Sequence, residues 1–201
     1  MESSTNRGQK AGLRERKKAK TRAEIQRQAL RLFREQGYDA TTVAQISEAS
    51  EVSESTFFRY FPTKEDVVLW DKFDPRIFEA LAAQPPGAGP VRALRDAIRE
   101  VMTRASAEER AEVRGRVELL LSVPPLRAAF VDRIGGPMGL LAEAVAERSG
   151  IRPDDPAVRA LAGAVMGVGL SVMFAVAEDP DADIVFLIDE GLAQVEAGFP
   201  M

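Results

Sequence analysis

The chain has 201 residues, 45% of them hydrophobic and 29% charged, enough apolar mass to bury one large or two small domains. It contains no cysteine and no histidine, which excludes disulfides, thiolate or imidazole metal sites and the commonest catalytic base. The formal net charge of −4 hides a division: up to Lys64 there are 13 Lys and Arg against 8 Asp and Glu, a balance of +5, and beyond it 14 against 23, a balance of −9. A basic head therefore precedes an acidic body.

Acidic residues fall at helix caps and on surface positions rather than in facing pairs, so no catalytic site is expected, and with it no metal and no cofactor. The opening MESSTNRGQK has no apolar run after a basic patch and is not a secretory signal, which points to the cytoplasm. Residues 1–12 are polar and aperiodic and read as a disordered tail. Between Arg7 and Arg22 eight basic residues meet one acidic one. Such a field attracts phosphate backbones or anionic membranes, or simply solubilises a tail. Arg16, Lys17 and Lys20 are its candidate DNA contacts.

The first helix is expected over 13–36, where Ile25, Ala29, Leu32 and Phe33 make one apolar stripe and Gly37 supplies the stop. Thr42 followed by Gln45 is a capping box opening a short helix that carries Val43, Ile46 and Ala49 inward. After a tight turn at Ser50-Glu51-Val52, Ser53 caps a third helix that Pro62 closes. Thr63 with Asp66 starts a fourth, and Asp74-Pro75 opens a fifth over about 76–83. Beyond the PPGAGP break come segments 91–106, 107–123 and 126–148, the last interrupted by Gly135-Gly136-Pro137. Asp155-Pro156 caps a helix reaching 178, and 183–199 forms the final one. No stretch alternates as a strand does, so the fold class is all-α.

Within SESTFFRYF, 100° per residue puts Phe57 and Phe61 on one buried face and Ser55, Thr56 and Arg59 opposite, flanked by Phe58 and Tyr60. Small hydroxyls, an arginine and aromatic edges are what a helix seated in a major groove uses to meet bases and phosphates. Packing of Phe58 and Tyr60 on the following helix is the competing reading. The order long helix, short capped helix, tight turn, short helix is that of a helix-turn-helix domain. The 18 residues 160–177 are apolar except Ser171 and reach the lower length of a membrane span. Gly163, Gly167 and Gly169 favour instead a core helix in close contact with its neighbours.

The segment LFREQGYDATTVAQISEASEVSESTFFRYFPTKEDVV closely resembles the N-terminal DNA-binding domain of the TetR family of bacterial repressors, over roughly residues 14–70. The resemblance implies phosphate contacts from Thr42 and Lys64, a base-reading face of Ser55, Thr56, Phe58 and Arg59, and Ser53 and Tyr60 nearer the backbone. Glu51 stands where the family usually has glycine, so a positive φ there would strain the turn. The implied organisation is a tail at 1–12, a helix-turn-helix domain at 13–62 and an all-helical effector-binding and dimerisation domain at 63–201. The implied function is a homodimeric repressor on a palindromic operator of double-stranded DNA, with the last two helices pairing across a two-fold axis or else packing within one subunit.

FFRYFPTKEDVVLWDKFDP and VPPLRAAF look like a subgroup of actinobacterial regulators with acyl-CoA-like ligands. A hydrophobic small-molecule effector is therefore expected. Its candidate lining is Trp70, Phe73, Phe78, Met102, Phe130, Met138, Met166, Met173 and Phe174, with the Gly135-Gly136-Pro137 break as a mouth. An activator with the same head, and a peripheral protein of anionic membranes, are the alternatives.

Overall fold

A computed structural model of the chain describes residues 2–72, 74–179 and 181–200, with side chains from Arg14 onward except Glu15. Among the described residues there are eleven helices and no strand. They divide into two compact units, Met1–Trp70 and Asp71–Met201.

The first unit holds α1 (Glu2–Gln36), α2 (Val43–Ala49), α3 (Glu54–Tyr60) and α4 (Lys64–Leu69). Its core is the inward stripe of each helix: Ile25, Ala29 and Phe33 from α1, Ile46 from α2, Phe57 from α3 with Phe61 just beyond it, and Val67 and Val68 from α4. Helix α1 begins at Glu2 rather than at residue 13, so the segment expected as a tail continues the helix. No proline precedes Pro62, so nothing forces a later start. At the other end Gly37, with φ of 88°, closes α1 by donating its N–H to Phe33 O at 3.0 Å.

The unit extends past the expected boundary at 62 because α4 is fastened to α1. The Gln26 side-chain amide donates to Val67 O at 2.8 Å and Trp70 O at 2.6 Å, satisfying carbonyls that the end of α4 would leave orphaned. The Arg22 guanidinium lies 5.0 Å from the Phe61 ring centroid and 4.7 Å from that of Trp70. Burial between these rings lowers its pKa, against the opposing pull of Asp66.

The second unit runs through α5 (Asp74–Ala83), α6 (Pro90–Arg104), α7 (Ala107–Ser122), α8 (Pro124–Arg133), α9 (Gly135–Ser149), α10 (Pro156–Glu178) and α11 (Ile184–Ala197). Leu81, Ala93, Leu94, Ala97, Leu141, Val145, Val158, Ala162 and Leu192 form its main core. The PPGAGP break is held by Arg148 of α9, whose guanidinium donates to the carbonyls of Pro85 and Ala88. Gly135-Gly136-Pro137, expected to interrupt a helix, instead begins one. These residues form the first turn of α9, where a proline's missing N–H is harmless.

Helix α10 is, among the described residues, the one long and apolar enough to cross a membrane by length and composition. It packs on α7, α9 and α11, yet only 17% of its apolar window is buried within the chain. It is thus a half-covered helix and not the enclosed core helix expected. A Cβ on Gly163, Gly167 or Gly169 would meet nothing within 4 Å, whereas one on Gly191 of α11 would stand 2.5 Å from Val168 Cγ1. The close approach of α10 and α11 therefore rests on Gly191.

Arg95 of α6 ties that helix to α11, donating to Asp189 Oδ2 at 3.0 Å and to Glu196 at 2.7 Å, while Arg99 donates to Asp189 Oδ1 at 2.6 Å. The Arg95 hydrogen bond first, with the Arg95 and Arg99 charges, holds the Asp189 carboxyl below its ordinary value. A depressed carboxyl pKa stabilises the fold fully above the unfolded value of about 3.9 and loses that contribution as pH falls through the folded value. Asp189→Asn is expected to cost about 1–2 kcal/mol near neutral pH. Chemical denaturation across pH checks this: the gap between variant and wild type should stay constant above about pH 5 and close in acid.

Candidate functional site

The α2–turn–α3 motif is built by local hydrogen bonds. Thr42 Oγ1 accepts from Gln45 N at 3.2 Å while Thr42 N donates to Gln45 Oε1 at 2.9 Å, the reciprocal box read from the sequence. Gln36 of α1 braces it, its amide reaching both Thr41 Oγ1 and Gln45 Oε1 at 3.1 Å. At the far end of α2, Val52 N donates to Ser47 O and Glu51 N to Glu48 O, the two-bond arrangement of a Schellman motif. That geometry puts the residue after the cap in the left-handed region, and Glu51 takes it with φ of 53°.

The family's usual glycine is absent where the backbone wants one, so the turn carries the strain anticipated. Glu51→Gly is expected to raise the stability of the first unit by about 0.5–1 kcal/mol, less whatever entropy glycine restores to the unfolded chain. A thermal melt that moves downward would show that Glu51 is not strained.

Ser53 caps α3, accepting from Thr56 N at 3.2 Å, and its hydroxyl also lies 2.9 Å from Ser55 Oγ and 3.0 Å from Thr56 Oγ1. Phe57 and Phe61 are fully buried, their rings 6.0 Å apart. Phe58, on the other side, is 48% exposed, and Ser55 and Arg59 are exposed beside it. Thr56 and Tyr60 are half-buried at the flanks. Arg59 rests on its neighbour, Cζ 5.4 Å from the Tyr60 ring centroid. The helix thus presents to solvent a short row of hydroxyls, one aromatic edge and one guanidinium.

Two groups of expected contacts lie differently. Arg16, Lys17 and Lys20 are exposed on α1, N-terminal to the Arg22 stack. Lys64 turns inward: its ammonium donates to Tyr38 O at 2.8 Å and Thr41 O at 3.1 Å and sits 4.0 Å from the Tyr38 ring centroid. The Tyr38 hydroxyl in turn donates to Glu65 at 2.9 Å, and burial, then this bond, pushes the phenol pKa up. Lys64 therefore fixes the loop before Thr42 and keeps one N–H donor for an outside partner. Spacing alone could not reveal this, because the carbonyls it meets belong to a loop more than twenty residues away.

The expected effector lining is not brought together as one site. Phe73 lies outside the described residues. Trp70 belongs to the first unit, its ring edge-on to Phe61 with centroids 5.9 Å apart. Phe78, Met138 and Met166 pack around the main core, Met102 is buried in a smaller neighbouring cluster, and Phe130 and Met173 are half-buried. Phe174 is 56% exposed on α10. A shallow recess lies elsewhere, lined by Arg95, Ile98, Arg99, Val185, Ile188, Asp189 and Leu192.

A capped α2, a braced turn and an α3 with an exposed polar and aromatic row define a helix-turn-helix DNA-binding head on a separate helical unit. Residues 25–69 match the model of bacterial regulatory proteins of the tetR family, and residues 88–200 match that of the MftR C-terminal domain. The HTH-type transcriptional regulator TcmR of Streptomyces glaucescens is 39% identical over 151 residues, covering 72% of this chain and 67% of that protein. Among solved structures, Thermus thermophilus FadR, a TetR-family repressor in complex with lauroyl-CoA, is 26% identical with a TM-score of 0.56, over 90% of this chain and 95% of its own. FadR of Bacillus subtilis in complex with stearoyl-CoA has the same fold at 20% identity and a TM-score of 0.55, over 88% of this chain and 98% of its own. The chain belongs to the TetR family of DNA-binding transcriptional regulators.

Proposed function

We propose that the protein is a homodimeric cytoplasmic repressor that binds a palindromic operator through α3 and leaves it when a hydrophobic, acyl-type effector binds the second unit. The observation that carries this reading is the division within α3: Phe57 is buried to anchor the helix, and Ser55, Phe58 and Arg59 next to it are left in solvent. In this reading Ser55, Thr56, Phe58 and Arg59 meet base edges, and Thr42, Ser53, Tyr60, Lys64 and the α1 cations meet phosphates.

Dimerisation is supported by the outer face of α10 and α11. Phe174 and Phe186 are 56% and 60% exposed, and Ala160, Gly167 and Ser171 continue the stripe along α10. A second copy covering this face joins two heads in one molecule, and a palindromic operator offers such a dimer two half-sites about 34 Å, one turn of the duplex, apart. Release follows if the effector prefers a spacing of the two heads that does not fit successive major grooves, its leverage being the difference in affinity for the two states. The acyl character of the effector rests on the lauroyl-CoA held by the Thermus thermophilus relative.

The test is selection of fragmented genomic DNA by the purified protein at about 0.15 M salt, which suppresses nonspecific phosphate binding. Recovery of a short palindrome, and its loss on addition of lauroyl-CoA, is the expected outcome. Enrichment of nothing beyond background, or retention on anionic vesicles in place of DNA, overturns the reading.

A further inference from the structure

The core-facing side of α1 changes character where the helix leaves the core of the first unit. Traced upstream from Ile25 in steps of three and four, that face passes through Thr21, Lys18, Lys17 and Arg14, and in sequence the same steps reach Lys10 and Arg7. Ile25 is fully buried, Thr21 is half-buried, and Lys18, Lys17 and Arg14 are exposed. The apolar stripe thus ends at Thr21, and a cationic stripe replaces it on the same line. A helix end meant to be covered by protein would carry the apolar stripe onward.

The charge of this stripe is unmatched. Downstream, cations of α1 are neutralised by their own helix, Arg27 by Glu24 and Arg31 by Glu35. Upstream, Arg14, Lys17 and Lys18 make no ion pair among the described residues, and Arg14 repels the other two at spacings of three and four. A row of one sign held on one side of a helix complements a phosphate backbone.

Its direction fits that partner. Ile25 and Ala29 put this side of α1 on the core that Phe57 and Phe61 close from α3, and Arg22, at the base of the overhang, lies 5.0 Å from the Phe61 ring centroid. The cations therefore face the way the core side of α1 faces, past the end of an α3 whose exposed row points away from that core.

We propose that the N-terminal part of α1 is a second DNA-binding element, which grips the phosphates of the duplex flanking the half-site that α3 reads and takes no sequence information from them. This rests on the operator reading given above. From Arg7 to Lys18 the stripe is roughly 16 Å long, enough to follow about five base pairs beyond the half-site.

The test uses the full-length protein and the palindrome recovered by genomic selection, either trimmed to its ends or extended by about ten random base pairs on each side. Wild type should bind the extended duplex at least tenfold more tightly at about 0.15 M salt, and with a steeper salt dependence. The triple variant Arg14→Gln, Lys17→Gln, Lys18→Gln should flatten that dependence by about three to five units per dimer on the extended duplex and by less than one on the trimmed one. Arg16→Gln with Lys20→Gln, which lie off the stripe, should flatten it by less than half as much. All these positions are exposed and glutamine is a good helix former, so melting temperatures should stay within about 2 °C.

Equal affinity of wild type for the two duplexes overturns the proposal, as does equal flattening by the triple variant on both. An equal effect of the two variants per charge removed would make the cations a diffuse field and not a one-sided grip, and overturns it too. Loss of binding to anionic vesicles in the triple variant, with DNA binding untouched, would assign the stripe to a membrane surface. If wild type does not prefer the palindrome to random duplex, the operator reading fails and this inference with it. If that preference holds and the flanks make no difference, only the inference fails.

Discussion

Phe57→Ala should lower the stability of the first unit by about 3–5 kcal/mol, a large share of the 5–15 kcal/mol that a domain commands. Phe57 is fully buried and touches the rings of both Phe58 and Phe61, so truncation opens a cavity beneath the helix that carries the exposed row. A four-helix unit with so few large core side chains has little with which to refill it. Differential scanning calorimetry should show the transition of the first unit displaced to much lower temperature, with operator binding lost at 37 °C. A shift worth less than about 1 kcal/mol would mean that α3 is not anchored by this ring.

Arg59→Ala is expected to leave the fold intact and remove sequence discrimination. The side chain is exposed and rests on the Tyr60 ring, so it contributes little to stability. A bidentate arginine contact is worth about 1–3 kcal/mol against the wrong base, and a two-fold symmetric complex loses it twice, about 2–6 kcal/mol in all. Fluorescence titration on the selected operator should show that loss, while affinity for random duplex changes by the few-fold expected of one phosphate-range cation. Equal weakening on both DNAs would move Arg59 from base reading to phosphate binding.

Lys64→Met provides the contrast. It should flatten the salt dependence by about one counterion unit per subunit and also lower the melting temperature of the first unit, because Tyr38 O and Thr41 O lose their donor. An unchanged melt would leave Lys64 with the phosphate role alone.

What the sequence made legible was whatever depends on neighbours within one turn of helix. The boxes at Thr42 and Thr63, the caps at Ser53 and Asp155, the stop at Gly37 and the burial of Phe57 and Phe61 are all written in spacings of three or four residues. The strain at Glu51 was legible through the resemblance, which puts glycine at that position. What it did not reveal depends on partners distant in the chain. Lys64 reads as a surface cation until Tyr38 and Thr41 are placed next to it. Gly163, Gly167 and Gly169 looked like the points of helix contact, yet Gly191 on the opposing helix holds that place. The aromatics and methionines expected around one ligand scattered between two cores and a surface, since apolar periodicity signals burial without saying against what.

The Gln26 amide and the Arg22 stack have a mechanical consequence for a regulator of this family. Because the last carbonyls of α4 end on α1 and the Trp70 ring is pinned by a cation from the same helix, α4 has no slack of its own at that end. Unwinding that end of α4 requires breaking its two hydrogen bonds to Gln26 and displacing Arg22 from the Trp70 ring. The helix that holds α4 in this way is the one that carries the exposed cations Arg16, Lys17 and Lys20.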